Sequence, residues 1–254
     1  MSRLGWRSPG IPDQRDIPYS FQARLLDPAD TMFQRVDEPP VKDLIIGPIC
    51  DQDQLGSCGA FASTSNMVAT DQEVTGQSKN LSQLWLYYHY RERFGHVEYD
   101  DGVFNRELMK VLAEEGCCLE EDWPYILANW DKKPPLETYA RAIPNRILSY
   151  HAIYTLDDMI QCIASGFGFF GGIVWYESGD SLYTEKTGRI ELPKQGDKPL
   201  GGHDIFFSKY DKHKGLFGGP NSWGKEWGDA GKFTIPFEYL TNPNLAGDFW
   251  TIRS

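Results

Sequence analysis

The sequence lacks the features that mark membrane-spanning and secreted proteins. No apolar run approaches the ~20 residues that a membrane-spanning helix requires. Residues 1–6 contain no apolar stretch typical of a signal peptide. The five cysteines are odd in number, and Cys117 and Cys118 are adjacent, an arrangement that suits a disulfide framework poorly. We therefore expect reduced thiols, synthesis in a cytosol and no membrane partner.

The net charge and the positions of the histidines argue against a nucleic-acid-binding protein and against a metal-binding protein. A formal net charge of −11 is the opposite of the basic surface that a nucleic-acid partner requires. The composition, 41% hydrophobic and 24% charged, is that of a soluble globular chain long enough to bury a full core. Four histidines lack cysteine or carboxylate neighbours at metal-ligand spacing, so we expect no metal and no cofactor; these are His89, His96, His151 and His213.

A candidate nucleophile lies in residues 52–61 (QDQLGSCGAF), where Cys58 stands between a Gly-Ser turn and an apolar segment. Residues 59–73 contain no proline and predict a buried helix, with the Ser57 hydroxyl as its N-cap. Cys58 would then lie in the first turn, where the helix dipole favours a thiolate over a thiol. A buried structural thiol is the alternative, so the assignment depends on partners elsewhere in the chain.

The remaining periodicity changes from helical to strand-like near Ile147. We predict helices over 82–94, over a segment that Gly116 ends, and over 156–165. Short strands are expected at 173–176, 189–192, 203–210, 232–235 and 249–252. Residues 166–171 (GFGFFG) match the dinucleotide-binding fingerprint, but a predicted helix precedes them and a strand follows, the reverse of what that motif requires.

Two motifs supply partners for Cys58. Residues 201–207 (GGHDIFF) contain His203, and residues 219–228 (GPNSWGKEWG) contain Asn221. Cys58, His203 and Asn221 in this order, with Asn221 inside an Asn-Ser-Trp-Gly run, resemble the papain-like cysteine peptidases. The separation of Cys58 from His203 falls within the ~130–150 residues usual there. The flank departs from the family, because Leu55 and Gly59 stand where a half-cystine and an aromatic residue are usual.

The resemblance implies an α+β fold with a helical half packed on a β-barrel-like half and the active-site cleft between them. It divides the chain into an N-terminal arm, residues 1–38, and a peptidase domain, residues 39–254. Within that domain residues 39–146 would form the helical half and residues 147–254 the β half. The arm resembles the pro-segment of a zymogen in position, although it is short and rich in proline. It would either lie across the cleft and restrain activity or brace the β half.

The resemblance also implies the chemistry: hydrolysis of peptide bonds by a monomer whose partner is a polypeptide substrate. Cys58 would attack the peptide carbonyl, and His203 would exchange the proton. Asn221 would orient His203 under the cover of Trp223, and the Gln52 side chain would donate to the oxyanion. Gln54 is a competing candidate for that last role.

The substrate is expected to contact Gly102 through its backbone and to enter an apolar pocket walled by Ile173 and Gly202. This pocket would receive the side chain before the cleaved residue, and no charge nearby would recruit a basic one. An acyl transferase with the same triad, or an inactive binding module on the same fold, are the alternatives.

Overall fold

The helices of the computed structural model follow the predicted periodicity. The structure describes residues 2–8, 13, 15–20 and 36–254. Within residues 36–254 the α-helices are α1 (Cys58–Thr75), α2 (Gln83–Phe94), α3 (Asn105–Glu114), α4 (Leu136–Ala142), α5 (Leu156–Ala164), α6 (Leu182–Thr187) and α7 (Phe237–Thr241). Short 3₁₀ turns occupy Leu127–Asn129, Ile143–Asn145 and Glu177–Asp180. Gly76 ends α1 in the left-handed conformation, at φ 71°, which glycine adopts without steric cost.

The strands are β1 (Val41–Asp43), β2 (Ser149–Ile153), β3 (Phe169–Tyr176), β4 (Pro199–Phe207), β5 (Lys209–Asp211), β6 (Leu216–Pro220), β7 (Lys232–Pro236) and β8 (Ala246–Arg253). They form two four-stranded antiparallel sheets, in the orders β1-β5-β6-β7 and β2-β8-β3-β4. The architecture is therefore the expected α+β arrangement.

Two hydrophobic cores lie on either side of the sheet β2-β8-β3-β4. One core combines α1, α2 and α3 with the strand residues Phe170, Phe206 and Trp250. The other fills the space between the two sheets and contains Phe169, Phe207 and residues of α5. Because side chains alternate along a strand, neighbours such as Phe206 and Phe207 enter different cores. The first turn of α1 packs on β4 at Asp204, within that strand.

Residues 16–19 of the N-terminal arm pack against the rest of the protein, mainly against the β half. The Ala152 N–H donates to the Ile17 carbonyl at 3.1 Å, and the Tyr19 side chain is 3% exposed within the core between the sheets. Asp16 forms an ion pair with Arg106 at 2.5 Å. The arm also contains the apolar residues Ile11 and Phe21, which lie outside the described residues.

Three local predictions were wrong. The Ser57 hydroxyl does not cap α1; it lies 2.9 Å from the Tyr125 hydroxyl, which offers a better-placed partner. Residues 189–192 form no strand, because only Arg189 pairs, in an isolated bridge with Thr234. Strand β1, placed by sequence in the helical half, joins β5 in the sheet of the other half.

Two other local predictions hold. The helix predicted over 82–94 is α2, and it begins as expected because the Ser82 hydroxyl accepts from the Trp85 N–H at 3.1 Å. Strand β3 follows helix α5, so residues 166–171 stand in a helix-to-strand connection, the opposite of the dinucleotide-binding context. Within the described ranges, no helix has both the length and the apolar character needed to span a bilayer.

Candidate active site

Cys58 begins α1 and is fully buried. Its Sγ accepts the backbone N–H of Asp204 at 3.4 Å, so the sulfur lies against strand β4 directly beside His203. The first turn of the helix from one half therefore meets the strand of the other half at this sulfur. The sequence predicted this meeting of Cys58 with the segment that contains His203.

His203 is held by a hydrogen bond and by aromatic rings. Its Nε2 lies 2.9 Å from Asn221 Oδ1, and because an amide oxygen only accepts, Nε2 carries the proton. Trp223 stacks on the imidazole with 4.5 Å between ring centroids, and Trp175 meets it edge-on at 5.8 Å. Among the described residues His203 Nδ1 has no hydrogen-bond partner, which leaves it available to exchange a proton. Trp175 was not identified from the sequence, because a tryptophan in a buried strand carries no functional signal.

Gln52 lies beside the nucleophile and is fully buried. Its Nε2 donates to the carbonyl oxygens of Leu55 at 2.6 Å and Arg3 at 3.0 Å, while its Oε1 accepts from the Ser222 hydroxyl at 2.6 Å. These bonds fix the amide, with its NH₂ group held by Leu55 and by Arg3 of the N-terminal arm. Gln54, the competing candidate, is exposed.

The cleft walls differ in detail from the prediction. Gly102 lines the cleft, since a Cβ there would lie 1.8 Å from the Gly5 carbonyl oxygen. Its N–H donates to the Tyr87 hydroxyl at 3.2 Å, and the backbone bonds to the arm are made by the next residue, Val103. Ile173 does not line the cleft, because its side chain lies in the core between the sheets. The alternation of the strand turns the preceding residue, Gly172, toward the cleft instead.

Residues 2–7, here called the covering segment, lie in this cleft. The Val103 N–H donates to the Gly5 carbonyl at 2.9 Å, and the Arg7 N–H donates to the Val103 carbonyl at 3.0 Å, which forms a parallel bridge between Trp6 and Val103. The Trp6 N–H donates to the Gly202 carbonyl at 2.9 Å. The covering segment is thus bonded to both walls.

Its side chains and glycine fit the site closely. The Arg3 guanidinium lies 4.0 Å from the ring centroid of Trp223 and 3.9 Å from an Asp180 oxygen. A Cβ on Gly5 would come within 1.9 Å of the Gly56 carbonyl oxygen, so only glycine fits there. The segment therefore approaches the nucleophile through bare backbone.

Burial under this segment changes the ionisation of the pair. Desolvation raises the pKa of the Cys58 thiol well above its usual range, and the nearby Asp204 carboxyl adds to the rise. Desolvation also lowers the pKa of His203 to about 4, against the smaller opposing effect of its bond to Asn221. The covered site therefore holds a neutral thiol and a neutral imidazole at pH 7, whereas the helix position alone predicts a thiolate.

Gly59 and its surroundings account for the missing aromatic residue. A Cβ on Gly59 would lie 2.3 Å from Val103 Cγ2 and 3.0 Å from Asp204 Oδ2, so other side chains fill this space. The Asp204 carboxyl is buried and accepts from Asn105 Nδ2 at 2.7 Å. The only sequence signal for Asp204 was its position directly after His203.

Comparison with known proteins decides the family. The chain is 33% identical over 218 residues to an uncharacterized peptidase C1-like protein of Acanthamoeba polyphaga mimivirus, a match that covers 80% of this chain and 68% of that protein. The chain belongs to the papain-like cysteine peptidases. It is accordingly a hydrolase that acts on polypeptides.

A solved structure and a plant relative extend this result. The structure is similar to that of xylellain, a cysteine protease from Xylella fastidiosa, with a TM-score of 0.83, 31% identity and coverage of 100% of this chain and 97% of that one. The oryzain gamma chain of Oryza sativa is 24% identical over 204 residues, and the match covers 76% of this papain-like chain but only 53% of oryzain. No protein-family model matches the sequence.

Proposed function

We propose that the protein is a cysteine-type endopeptidase that works through Cys58, His203 and Asn221 and a thioester intermediate. The observation that carries this proposal is the hydrogen bond between His203 Nε2 and Asn221 Oδ1, which the Trp223 ring covers. His203 lies on β4, and the N–H of the next residue, Asp204, donates to Cys58 Sγ. In this arrangement Nδ1 is the free base and Asn221 keeps the ring from turning. A histidine oriented in this way serves first as base and then as acid.

The reaction has two stages. Cys58 Sγ forms a bond to the substrate carbonyl carbon while its proton resides on His203, and the carbonyl oxygen becomes an oxyanion. The Cys58 N–H and Gln52 Nε2 donate to this oxyanion. The peptide C–N bond then breaks as His203 gives its proton to the leaving nitrogen. Water next attacks the thioester, His203 accepts a proton from it, and cleavage of the C–S bond releases the carboxylic acid and restores Cys58.

We further propose that the covering segment is an inhibitor of the same site. A cleavable peptide must place one carbonyl both on the sulfur and at the oxyanion donors. Here the Gly5 carbonyl accepts from the Val103 N–H, while Gln52 is bonded to the carbonyl of Arg3, two residues away. The carbonyl at the oxyanion donor thus does not belong to the residue that lies over the sulfur. This register supports inhibition without self-cleavage.

The test uses a deletion of residues 2–8, since removal of all 38 arm residues would also remove the brace at Ile17 and Tyr19. The deletion variant should hydrolyse a small peptide substrate and react with iodoacetamide at Cys58. In that background Cys58→Ala and His203→Ala should abolish hydrolysis, and Asn221→Ala should reduce it less. Near-normal turnover by the Cys58→Ala variant would refute the mechanism. Equal activity with and without residues 2–8 would refute the inhibitory role alone.

A further inference from the structure

A side-chain pocket one residue along the cleft from Cys58 holds the indole of Trp6. Its walls are bare backbone: a Cβ on Gly172 would lie 1.9 Å from Trp6 Cε2, and a Cβ on Gly202 would lie 2.7 Å from Trp6 Cε3. Gly5 covers the sulfur, so Trp6 occupies the place of the neighbouring residue of a bound peptide. The glycines leave room for a long side chain to lie over the paired strands β3 and β4.

The strand register brings two aspartates to this pocket. Gly172 lies opposite Asp204 on β4 and opposite Gly247 on β8. Directly opposed residues of an antiparallel pair present their side chains on the same face, so Asp204 shares the face on which Gly172 contacts Trp6. Asp248 follows Gly247 at once. It has φ 58°, a left-handed conformation that few residues other than glycine, asparagine and aspartate adopt.

Both carboxyl groups are incompletely bonded. Asp204 Oδ1 accepts from Asn105 Nδ2, and Asp248 Oδ1 accepts from Trp250 Nε1 at 2.7 Å. The Oδ2 atoms of both residues are buried and have no hydrogen-bond partner among the described residues. Asn105 Nδ2 also approaches the Asp248 carbonyl at 3.3 Å, which ties the two aspartates into one cluster. Buried carboxyl oxygens without a donor are unfavourable, so this cluster favours a ligand that brings one.

Trp6 meets that requirement only in part. Within the described part of the chain its indole N–H makes no hydrogen bond of normal geometry, although it lies close enough to Asp248 to act to lower the pKa of that carboxyl. The charge of Arg106 acts to lower the pKa of Asp248, but Arg106 is already paired with Asp16. A lysine or arginine side chain has an apolar stem that fits the glycine walls and a cationic end that reaches the carboxyl groups.

We propose that Asp248, with Asp204, makes this pocket select a lysine or arginine at the residue before the cleaved one. The inference rests on the proposed peptidase function and replaces the expectation of an apolar pocket with no charge nearby. No pattern in the sequence indicated these charges, because Asp204 and Asp248 come together through the pairing of β4 and β8 with β3. Trp6 is a neutral occupant of this pocket, and it leaves the pocket when the covering segment leaves the cleft.

The test measures binding apart from turnover. A chain that lacks residues 2–8 and carries Cys58→Ala is titrated calorimetrically with blocked peptides that differ only in arginine or leucine at this position. The arginine peptide should bind at least about tenfold more tightly, and Asp248→Asn should abolish the difference while leaving the leucine peptide unaffected. Asparagine keeps the size of the side chain and tolerates the left-handed backbone, and melting temperatures verify folding.

The controls distinguish the effect of the pocket aspartates from that of the overall negative charge of the protein. Asp131→Asn removes the same charge at an exposed site on the other half and should leave the arginine preference intact. Asp204→Asn provides a second variant within the cluster and should weaken the preference. Equal affinities for the two peptides would overturn the inference. Absence of hydrolysis by the chain with Cys58 intact would instead overturn the proposed function, and the binding result would still decide the pocket.

Discussion

The carbonyl oxygen of Arg3 accepts a hydrogen bond of 3.0 Å from the side-chain amide of Gln52, the group proposed to bind the oxyanion. The covering segment therefore occupies the position that a substrate carbonyl needs during the reaction. A peptide can use this donor only after the segment has left. The activity of the full chain should therefore be limited by the fraction of molecules in which the covering segment has left the cleft, here called the open state.

Gly5→Ala should activate the full-length enzyme. The new Cβ would lie 1.9 Å from the Gly56 carbonyl oxygen, so the segment can no longer seat over Cys58. We expect kcat/KM on a small peptide to rise about tenfold or more, since each 1.4 kcal/mol of lost seating free energy shifts the open population about tenfold. Ser8→Ala, an exposed position just beyond the segment, is the matched control. No rise with Gly5→Ala would argue that the segment does not limit access.

Gln52→Ala should lower kcat by ~10²–10³, the usual cost of losing one oxyanion donor. The measurement belongs in the chain without residues 2–8, so that release of the segment does not mask the loss. Gln52 also bonds to Ser222 and Leu55, and a melting curve must verify that the variant folds. The exposed Gln54→Ala should keep full activity. A drop with Gln54→Ala but not with Gln52→Ala would transfer the role to Gln54.

The reactivity of Cys58 toward iodoacetamide should depend on pH differently with and without the covering segment. Burial raises the pKa of the Cys58 thiol and lowers that of His203 to about 4, so the covered pair is neutral. Deletion of residues 2–8 restores water and should shift the midpoint of alkylation at least ~1 pH unit toward acid. The deletion variant should also show a bell-shaped kcat/KM profile that belongs to the coupled pair. Identical alkylation profiles for the two proteins would contradict this account.

His151 should contribute to acid destabilisation of the fold. Burial, with a smaller effect of Arg253, lowers its pKa from 6.5 to about 4. The unfolded chain therefore binds more protons than the folded one between these values, and stability present above about pH 6.5 is lost as the pH falls toward 4. The contribution is on the order of 3 kcal/mol at most.

His151→Gln should flatten this decline in urea unfolding measured between pH 7 and 4. His203 has a pKa lowered in the same sense, so the decline should become smaller without vanishing. Asp204 and Asp248, whose pKa values burial raises, act in the opposite sense but equally in both proteins. The exposed His213→Gln serves as the control for removal of a histidine. An unchanged slope for His151→Gln would show that the ring gains a proton without cost.

Local patterns predicted the four longer helices, α1, α2, α3 and α5, and the main site segments, but not the short helices α4, α6 and α7. The apolar spacing after Ser82 placed α2, and the glycine-flanked His203 and Asn221 segments fell on β4 and just after β6. Such features depend on residues close in sequence, whose geometry one element fixes. The Ser57 prediction failed because a distant hydroxyl, that of Tyr125, competes for the cap.

Features that depend on strand register escaped the sequence. A shift of one residue decides whether Gly172 or Ile173 faces the cleft. The sequence around residues 166–176 gave no signal that fixes this register. The proximity of Asp204 and Asp248 depends on three strands that lie far apart in the chain. The cleft contacts of Arg3, Gly5 and Trp6 depend on backbone bonds, which no side-chain pattern encodes.

The covering segment is tethered to the cleft that it occupies. A tethered ligand acts at an effective concentration of roughly millimolar, set by the connecting chain and independent of how dilute the protein is. A free peptide must compete with that value however low the enzyme concentration becomes. A single chain break after Ser8 would remove the tether without changing one contact in the cleft. Occupancy would then fall on dilution, so that the same inhibitor becomes reversible in the ordinary bimolecular sense.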